Sequence, residues 1–260
     1  MSQFLLLTLY APLASWGEIA VGETRGSWDR PSRSAVLGLV AAALGLDRSD
    51  QAAHDALDTG YGFAVRLDTP GTPLVDYHTA QTVAESVLKK ARPATRKAML
   101  EAGDRETILS RRTYRVDALY TAALWANDAG RWPLGILRDA IRRPAFVLYA
   151  GRRANPFGLP LGPEVIDART LADAFRARPA RTAGELLDLE PDYRRKGTRE
   201  WGCEVAFDLP RGSTASVEPG FPEMLRRETR RDSRPDRTRW QFAERTVAIA
   251  RLPDVQEQSR

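Results

Sequence analysis

Cysteine, histidine and lysine are nearly missing from this 260-residue chain: it holds one Cys, two His and, beside 35 Arg, four Lys. The single thiol, Cys203, excludes an internal disulfide framework and any multi-cysteine zinc site, so a reducing cytoplasm is the expected setting. His54 and His78 stand far apart in sequence and form no metal-ligating pair, and neither a metal nor any other cofactor is expected. No Gly-x-Gly-x-x-Gly and no Gly-Lys-Ser/Thr occurs, which argues against use of ATP or NAD. No stretch approaches membrane-spanning length. The apolar run from Phe4 to Leu9, continuing to Ala14, follows no basic residue and meets Pro12 early, so it reads as a buried strand ending at Ala11-Pro12 and not as a signal segment.

What is present suits a folded protein, with 43% hydrophobic and 8% aromatic residues, enough for a full core at this length. A net charge of +5 favours an anionic partner. The arginine bias has two sources, phosphate recognition or a GC-rich genome, and only the placement of the arginines separates them.

The chain is organised around residues 76–124. Asp76-Tyr77-His78-Thr79 opens the stretch, a basic excursion follows, and the chain returns through Ser110-Arg111-Arg112-Thr113-Tyr114-Arg115 into an apolar strand. Between Ser86 and Arg115 there are nine Lys or Arg against three acids. Lys89, Lys90, Arg92, Arg96, Lys97 and Arg105 lie in the interior of this arm, where residues 94–102 have the pattern of a helical turn or two.

Around the arm the periodicity predicts a regular order. After the first strand, Pro31-Ser32-Arg33-Ser34 starts a helix, capped by Ser32 or Ser34, with Val36, Leu39, Val40, Ala43 and Leu44 as its apolar stripe. A second helix is expected near 50–57, strands at 62–68, 74–79 and 113–126, a helix after Trp132-Pro133 to Arg143, and a strand at 145–149. Strand, helix, strand, strand, helix, strand is the α+β pattern of a ferredoxin-like domain. Beyond it, residues 170–176 predict a helix and 203–209 and 240–252 predict strands. Residues 226–239, with seven arginines and three acids, predict a mobile solvated loop.

Three basic loops are expected to meet on one sheet: Arg25, Arg30 and Arg33 in the first, Arg111, Arg112 and Arg115 in the second, Arg152 and Arg153 in the third. Guanidinium groups take phosphate oxygens two at a time, and the helix start at Ser34 offers backbone N–H groups to another phosphate. Trp16, Trp28, Tyr77 and Tyr114 stand near these bases as stacking surfaces for single-stranded RNA. The alternative is that arginines flank strands because they face water. His78 suits either a general acid/base or a histidine that ends a strand and bonds a neighbour. Asp76, Asp117 and Glu204 are expected to be structural or solvated, and Cys203 a small buried hydrophobe.

Four segments carry a resemblance: Leu9-Tyr10-Ala11-Pro12-Leu13-Ala14-Ser15-Trp16-Gly17, Pro31-Ser32-Arg33-Ser34-Ala35-Val36-Leu37-Gly38-Leu39, Asp76-Tyr77-His78-Thr79 and Tyr149-Ala150-Gly151-Arg152-Arg153-Ala154-Asn155-Pro156. In this order they are similar to the successive motifs of the CasD family, the fifth-family Cas proteins (RAMP superfamily) of type I-E CRISPR systems, and Gln241-Phe242-Ala243-Glu244-Arg245 fits the closing strand. The resemblance implies a cytoplasmic, non-catalytic subunit of Cascade, the RNA-guided antiviral surveillance complex. Its ferredoxin-like body would span residues 1–80 and 113–165, with a thumb inserted at 81–112 and a C-terminal extension, 166–260, packed on the body. The body would hold the 5′ handle of the CRISPR RNA through Trp16, Ser32, Arg33, Ser34, His78 and the loop from Gly151 to Asn155. The thumb would reach the backbone subunit CasC, the large subunit CasA would dock nearby, and target DNA would be met only through the complex. Two alternatives stay open: a metal-independent repeat endoribonuclease, as in type I-C relatives, and a basic protein-interaction module.

Overall fold

The N-terminal apolar run forms β1 (Ser2–Ala14) in a computed structural model that describes residues 1–17, 20, 22–188, 203–209, 218–236 and 241–252. β1 is continuous in apolar character because both faces of its sheet are covered. Leu5, Leu7 and Leu9 point to one core with Val36, Val40, Leu57, Leu137 and Ile141, whereas Phe4 and Leu6 point to a second with Ala123, Leu171, Phe175 and Phe207. Burying each such side chain stabilises the fold by about 1.5–3 kcal/mol. The strand does not stop at Pro12. Pro12 is exposed and falls between the paired residues Ala11 and Leu13, so its missing N–H interrupts no pairing that the register requires.

Short pairs β2 (Trp16–Gly17), β3 (Thr24–Arg25) and β4 (Ser27–Trp28) lead into helix α1 (Arg33–Ala43), then α2 (Gln51–Gly60) and β5 (Tyr61–Thr69). Ser32 is the N-cap of α1, its Oγ accepting from the Ala35 amide at 3.2 Å, and Asp50 caps α2 in the same way. Next come β6 (Thr72–Val83), α3 (Glu85–Ala91), α4 (Arg96–Glu101) and the long β7 (Arg105–Ala126), followed by α5 (Leu134–Arg142), β8 (Glu164–Ala168), α6 (Leu171–Ala177) and α7 (Ala183–Leu186). β9 (Glu204–Asp208), β10 (Glu223–Asp236) and β11 (Gln241–Arg251) complete the described elements.

The main sheet runs β10-β11-β9-β5-β7-β1-β8, and its central pairs β5–β7, β7–β1 and β1–β8 are all antiparallel. α1 lies in the connection from β1 to β5 and α5 in that from β7 to β8. The architecture is therefore α+β around a large antiparallel sheet. Two expected features differ. Residues 145–149 form no strand: the Ala145 and Phe146 amides donate to the carbonyls of Ala43 and Ala42 at the end of α1, at 3.0 and 3.2 Å, and Val147 is 82% exposed. β8 takes the sheet position beside β1 instead, pairing Ser2 with Ala168 through Leu6 with Glu164. Residues 226–236 are not a loop but most of β10, antiparallel to β11; residues 237–239, and Trp240 of the last expected strand, lie outside the described residues.

β6 and the first half of β7 form a two-stranded arm, paired from Thr72 with Val116 to Val83 with Arg105. Among the described residues β6 pairs only with β7. Its base is marked by Gly71 (φ +64°), where a Cβ would meet the Val116 carbonyl at 2.5 Å, and by Asp117, which is left-handed at φ 54°. From Ala118 to Trp125 β7 is buried, and before that point it is not. Tyr10 donates to Asp117 at 3.1 Å, and burial, with the Asp117 charge and hydrogen bond, pushes its hydroxyl up to about 12. Among the described residues no helix is long and apolar enough to cross a membrane.

Candidate nucleic-acid interface

Members of the three basic loops do meet. β3 runs parallel to β7, setting Thr24 opposite Arg111 and Arg25 opposite Arg112, and the Arg111 amide donates to the Glu23 carbonyl at 3.0 Å. The third loop joins them through Arg152, whose Nη2 donates to the Arg25 carbonyl at 3.4 Å and whose guanidinium lies 4.5 Å from the centroid of the Tyr114 ring. Gly151 makes this approach possible. At φ +83° a Cβ there would stand 1.8 Å from the Ser15 carbonyl oxygen, so only glycine fits where the loop crosses the end of β1. The Ser15 amide bonds the Ala150 carbonyl at 3.1 Å, and its hydroxyl donates to Thr113 at 3.3 Å.

Among the described residues this cluster is uncompensated. Among the described residues no carboxylate pairs with Arg25, Arg111, Arg112, Arg152 or Arg153. Arg115 Nε and Arg152 Nη1 are buried donors with no acceptor among the described residues, which is costly unless an anion or water accepts from them. Arg115, which sequence reasoning counted in the loop but did not single out, therefore joins the candidate site.

Other expected contacts are used internally. Arg30 is 4% exposed and donates to Asp29 at 2.7 Å and Glu204 at 3.1 Å. Arg33, 7% exposed, donates to Asp208 at 2.7 Å and to Asp58 at 3.2 Å. Both guanidinium groups hold the body together at the start of α1 instead of facing outward. Trp16 is buried edge-on against Tyr120, with ring centroids 5.8 Å apart, and is no open stacking surface. The Ser32 hydroxyl is shared between the Ala35 amide and Ser34, the latter at 3.0 Å. Asn155 is buried and braces its own loop: its carbonyl accepts from the Ala150 amide at 2.8 Å, and its own amide donates to Arg152 at 2.8 Å.

On the arm, His78 is exposed, with Nδ1 4.0 Å from Asp76 and Ser110 opposite it in register. Tyr77, Leu74, Val75 and Ile108 are exposed apolar side chains of the same hairpin. Lys89 pairs with Glu85 at 2.9 Å and Lys97 with Glu101 at 4.0 Å, each one helical turn away; Arg96 donates to the Gln81 carbonyl at 2.6 Å. Lys90, Arg92 and Arg105 are exposed as well, and Arg92 ends α3 in the left-handed conformation. Among the described residues no three of His, Cys, Asp and Glu gather as a metal-binding group.

The family model described as CRISPR-associated protein (Cas_Cas5) matches residues 4–248. The chain belongs to the CRISPR-associated Cas5 family. Among curated proteins, this Cas5-family chain is 33% identical over 171 residues to the CRISPR system Cascade subunit CasD of Escherichia coli (strain K12), covering 62% of the chain and 70% of the relative. Among solved structures it is similar to a chain of a CRISPR RNA-guided surveillance complex, with a TM-score of 0.60 at 25% identity, covering 95% of this chain and 89% of that one. A crystal structure of a Cas protein matches in fold, with a TM-score of 0.56 at 23% identity over 96% of this chain and 95% of that one. The likeness to CasD drawn from four short motifs thus has its counterpart in a match that covers 62% of the chain.

Proposed function

We propose that the protein is the subunit of a Cascade-type CRISPR complex that holds the repeat-derived 5′ handle of the CRISPR RNA and does not cut it. The observation that carries this is the uncompensated Arg25–Arg112–Arg152 cluster, in which Arg152 lies over Tyr114. Guanidinium groups that no described carboxylate neutralises, beside an aromatic ring, suit a single-stranded backbone with an adjacent base. Arg111, Arg153 and the buried donors of Arg115 and Arg152 extend the phosphate path, and His78 with Tyr77 continues it along the arm. Arg30, Arg33, Trp16, Ser32, Ser34 and Asn155 serve the same site from behind, by fixing the loops that present it.

Support for the wider reading comes from the relatives: CasD is a Cascade subunit by name, and a similar chain belongs to an RNA-guided surveillance complex. The interleaved order β5-β7-β1-β8 suits a ferredoxin-like body of the RAMP type. The arm, with Lys89, Lys90, Arg92, Arg96, Lys97 and Arg105 exposed and apolar residues on its strands, is the thumb that docks on the backbone subunit CasC. CasA adjoins the handle, and target DNA is reached through the complex. The protein works in the cytoplasm.

The test is incubation of purified protein with labelled repeat RNA in the absence of metal. Retention of intact RNA, weakened in the double variant Arg152→Ala, Arg153→Ala, is expected. Specific cleavage that disappears in His78→Ala would instead make the protein an endoribonuclease.

A further inference from the structure

We infer that the edge strand β10 is a positioning element for the RNA-facing loop: through Arg230 and the Arg226–Glu204–Arg30 bridge it holds Trp28, Asp29 and Arg30 in the conformation that sets β3 and the start of α1. The inference rests on the RNA-holding function proposed above.

The guanidinium of Arg230 lies 3.9 Å from the centroid of the Trp28 ring. It is 8% exposed, so the cation–π contact is largely desolvated and correspondingly strong. Its Nη2 donates to Glu228 at 2.7 Å and stands 3.8 Å from Asp29. Glu204 on β9 receives Arg30 from one side at 3.1 Å and Arg226 of β10 from the other at 3.0 Å. The loop is also held from below, where the Tyr120 hydroxyl donates to the Asp29 carbonyl at 2.7 Å, and across β2–β4, where Trp28 pairs with Trp16. Three consecutive residues, the first of them three positions after Arg25 ends β3, are thus gripped by strands far away in sequence.

Charge balance separates this role from RNA contact. Arg30, Arg226 and Arg230 face Asp29, Glu204 and Glu228, and the set is neutral in itself. Hydrogen bonds from Arg226 keep the Glu204 carboxyl below its ordinary range against the opposing effect of burial, with Arg30 adding to them. A neutral, mutually satisfied group adds little attraction for phosphate; what it supplies is geometry. The uncompensated Arg25 and Arg112 lie next to it, and their relative placement depends on the loop it fixes.

Two variants test this: Arg230→Met, which removes the stack, and Glu204→Gln, which weakens the bridge while leaving every arginine in place. Amide exchange is read at residues 27–30, and binding of labelled single-stranded repeat RNA is measured across a salt series. Both variants are expected to exchange at these amides about tenfold faster with β1 and β5 unchanged. Both should bind RNA roughly tenfold more weakly, the scale of one desolvated cation–π contact, with the slope of log affinity against log salt unaltered. A slope that falls by about 0.7 in Arg230→Met makes Arg230 a direct phosphate ligand and overturns the inference. So does wild-type binding with exchange and affinity unchanged in both variants. Wild-type protein that binds no RNA, with the exchange difference still present, overturns the proposed function and the role built on it, leaving β10 a brace only.

Discussion

Two arginine-rich hairpins on the same sheet system use their charge in opposite ways. The β6–β7 arm carries its bases on exposed strands and short helices, where the carboxylates that pair with its lysines are one-turn neighbours such as Glu85 for Lys89. The β10–β11 hairpin turns two of its bases inward: Arg230 and Arg245 are buried, and Arg245 donates to both oxygens of Asp232 and to Asp208. The comparison teaches that a count of arginines says nothing about available charge until the acids they meet are known. Among the described residues, the Arg25–Arg112–Arg152 cluster gathers guanidinium groups that no carboxylate neutralises.

The largest effect is expected from breaking the inward-turned hairpin. Asp208 accepts from Arg33 at 2.7 Å and also from Arg245, so Asp208→Ala leaves two buried guanidinium groups short of a partner. The chain should lose about 2–3 kcal/mol of stability, read by denaturant unfolding. A midpoint equal to wild type would mean that these pairs are ornamental. Acid should act on the same region. Asp29 is pushed up by burial, but Arg30, Arg230 and Arg115 outweigh this and hold its carboxyl below its ordinary value; Arg226 does the same for Glu204. Carboxyls lowered in the fold contribute stability that is fully present above their unfolded values and is lost as pH falls through the folded ones. The thermal midpoint is therefore expected to drop steeply below about pH 4, and to drop less in Glu204→Gln. The smallest effect belongs to the arm: Lys89→Ala with Lys97→Ala should change stability by less than about 0.5 kcal/mol. A larger loss would show that the arm, too, spends its charge on folding.

These differences also explain what was legible in the sequence. β1, α1 and β5 follow from local signals: an unbroken apolar run, a serine cap before an apolar stripe, an alternating strand. Gly151 could be placed in a basic loop, although its contact with Ser15 could not. Residues 145–149 have the composition of a strand, yet their first amides finish α1, a choice set by tertiary packing and not by propensity. β8, which carries Glu164 and Asp167 among its five residues, gives little apolar signal of its own, and its place is set by pairing with β1. β10 looked like a solvated loop because its neutralising acids, Glu204 and Asp29, lie in other segments of the chain. For the site, the meeting of Arg25, Arg112 and Arg152 was legible as three loops beside one sheet. That Arg30 and Arg33 turn inward was not, since only their distant carboxylate partners decide it.

The account is tested most directly by the salt dependence of handle-RNA binding in wild type and in the double variant Arg25→Ala, Arg152→Ala. Each phosphate contact on a single strand contributes about 0.7 to the slope of log affinity against log salt. The slope should fall by about 1.4 in the double variant, with the same melting temperature. An unchanged slope with wild-type affinity would contradict the claim that this uncompensated cluster is where the protein holds RNA.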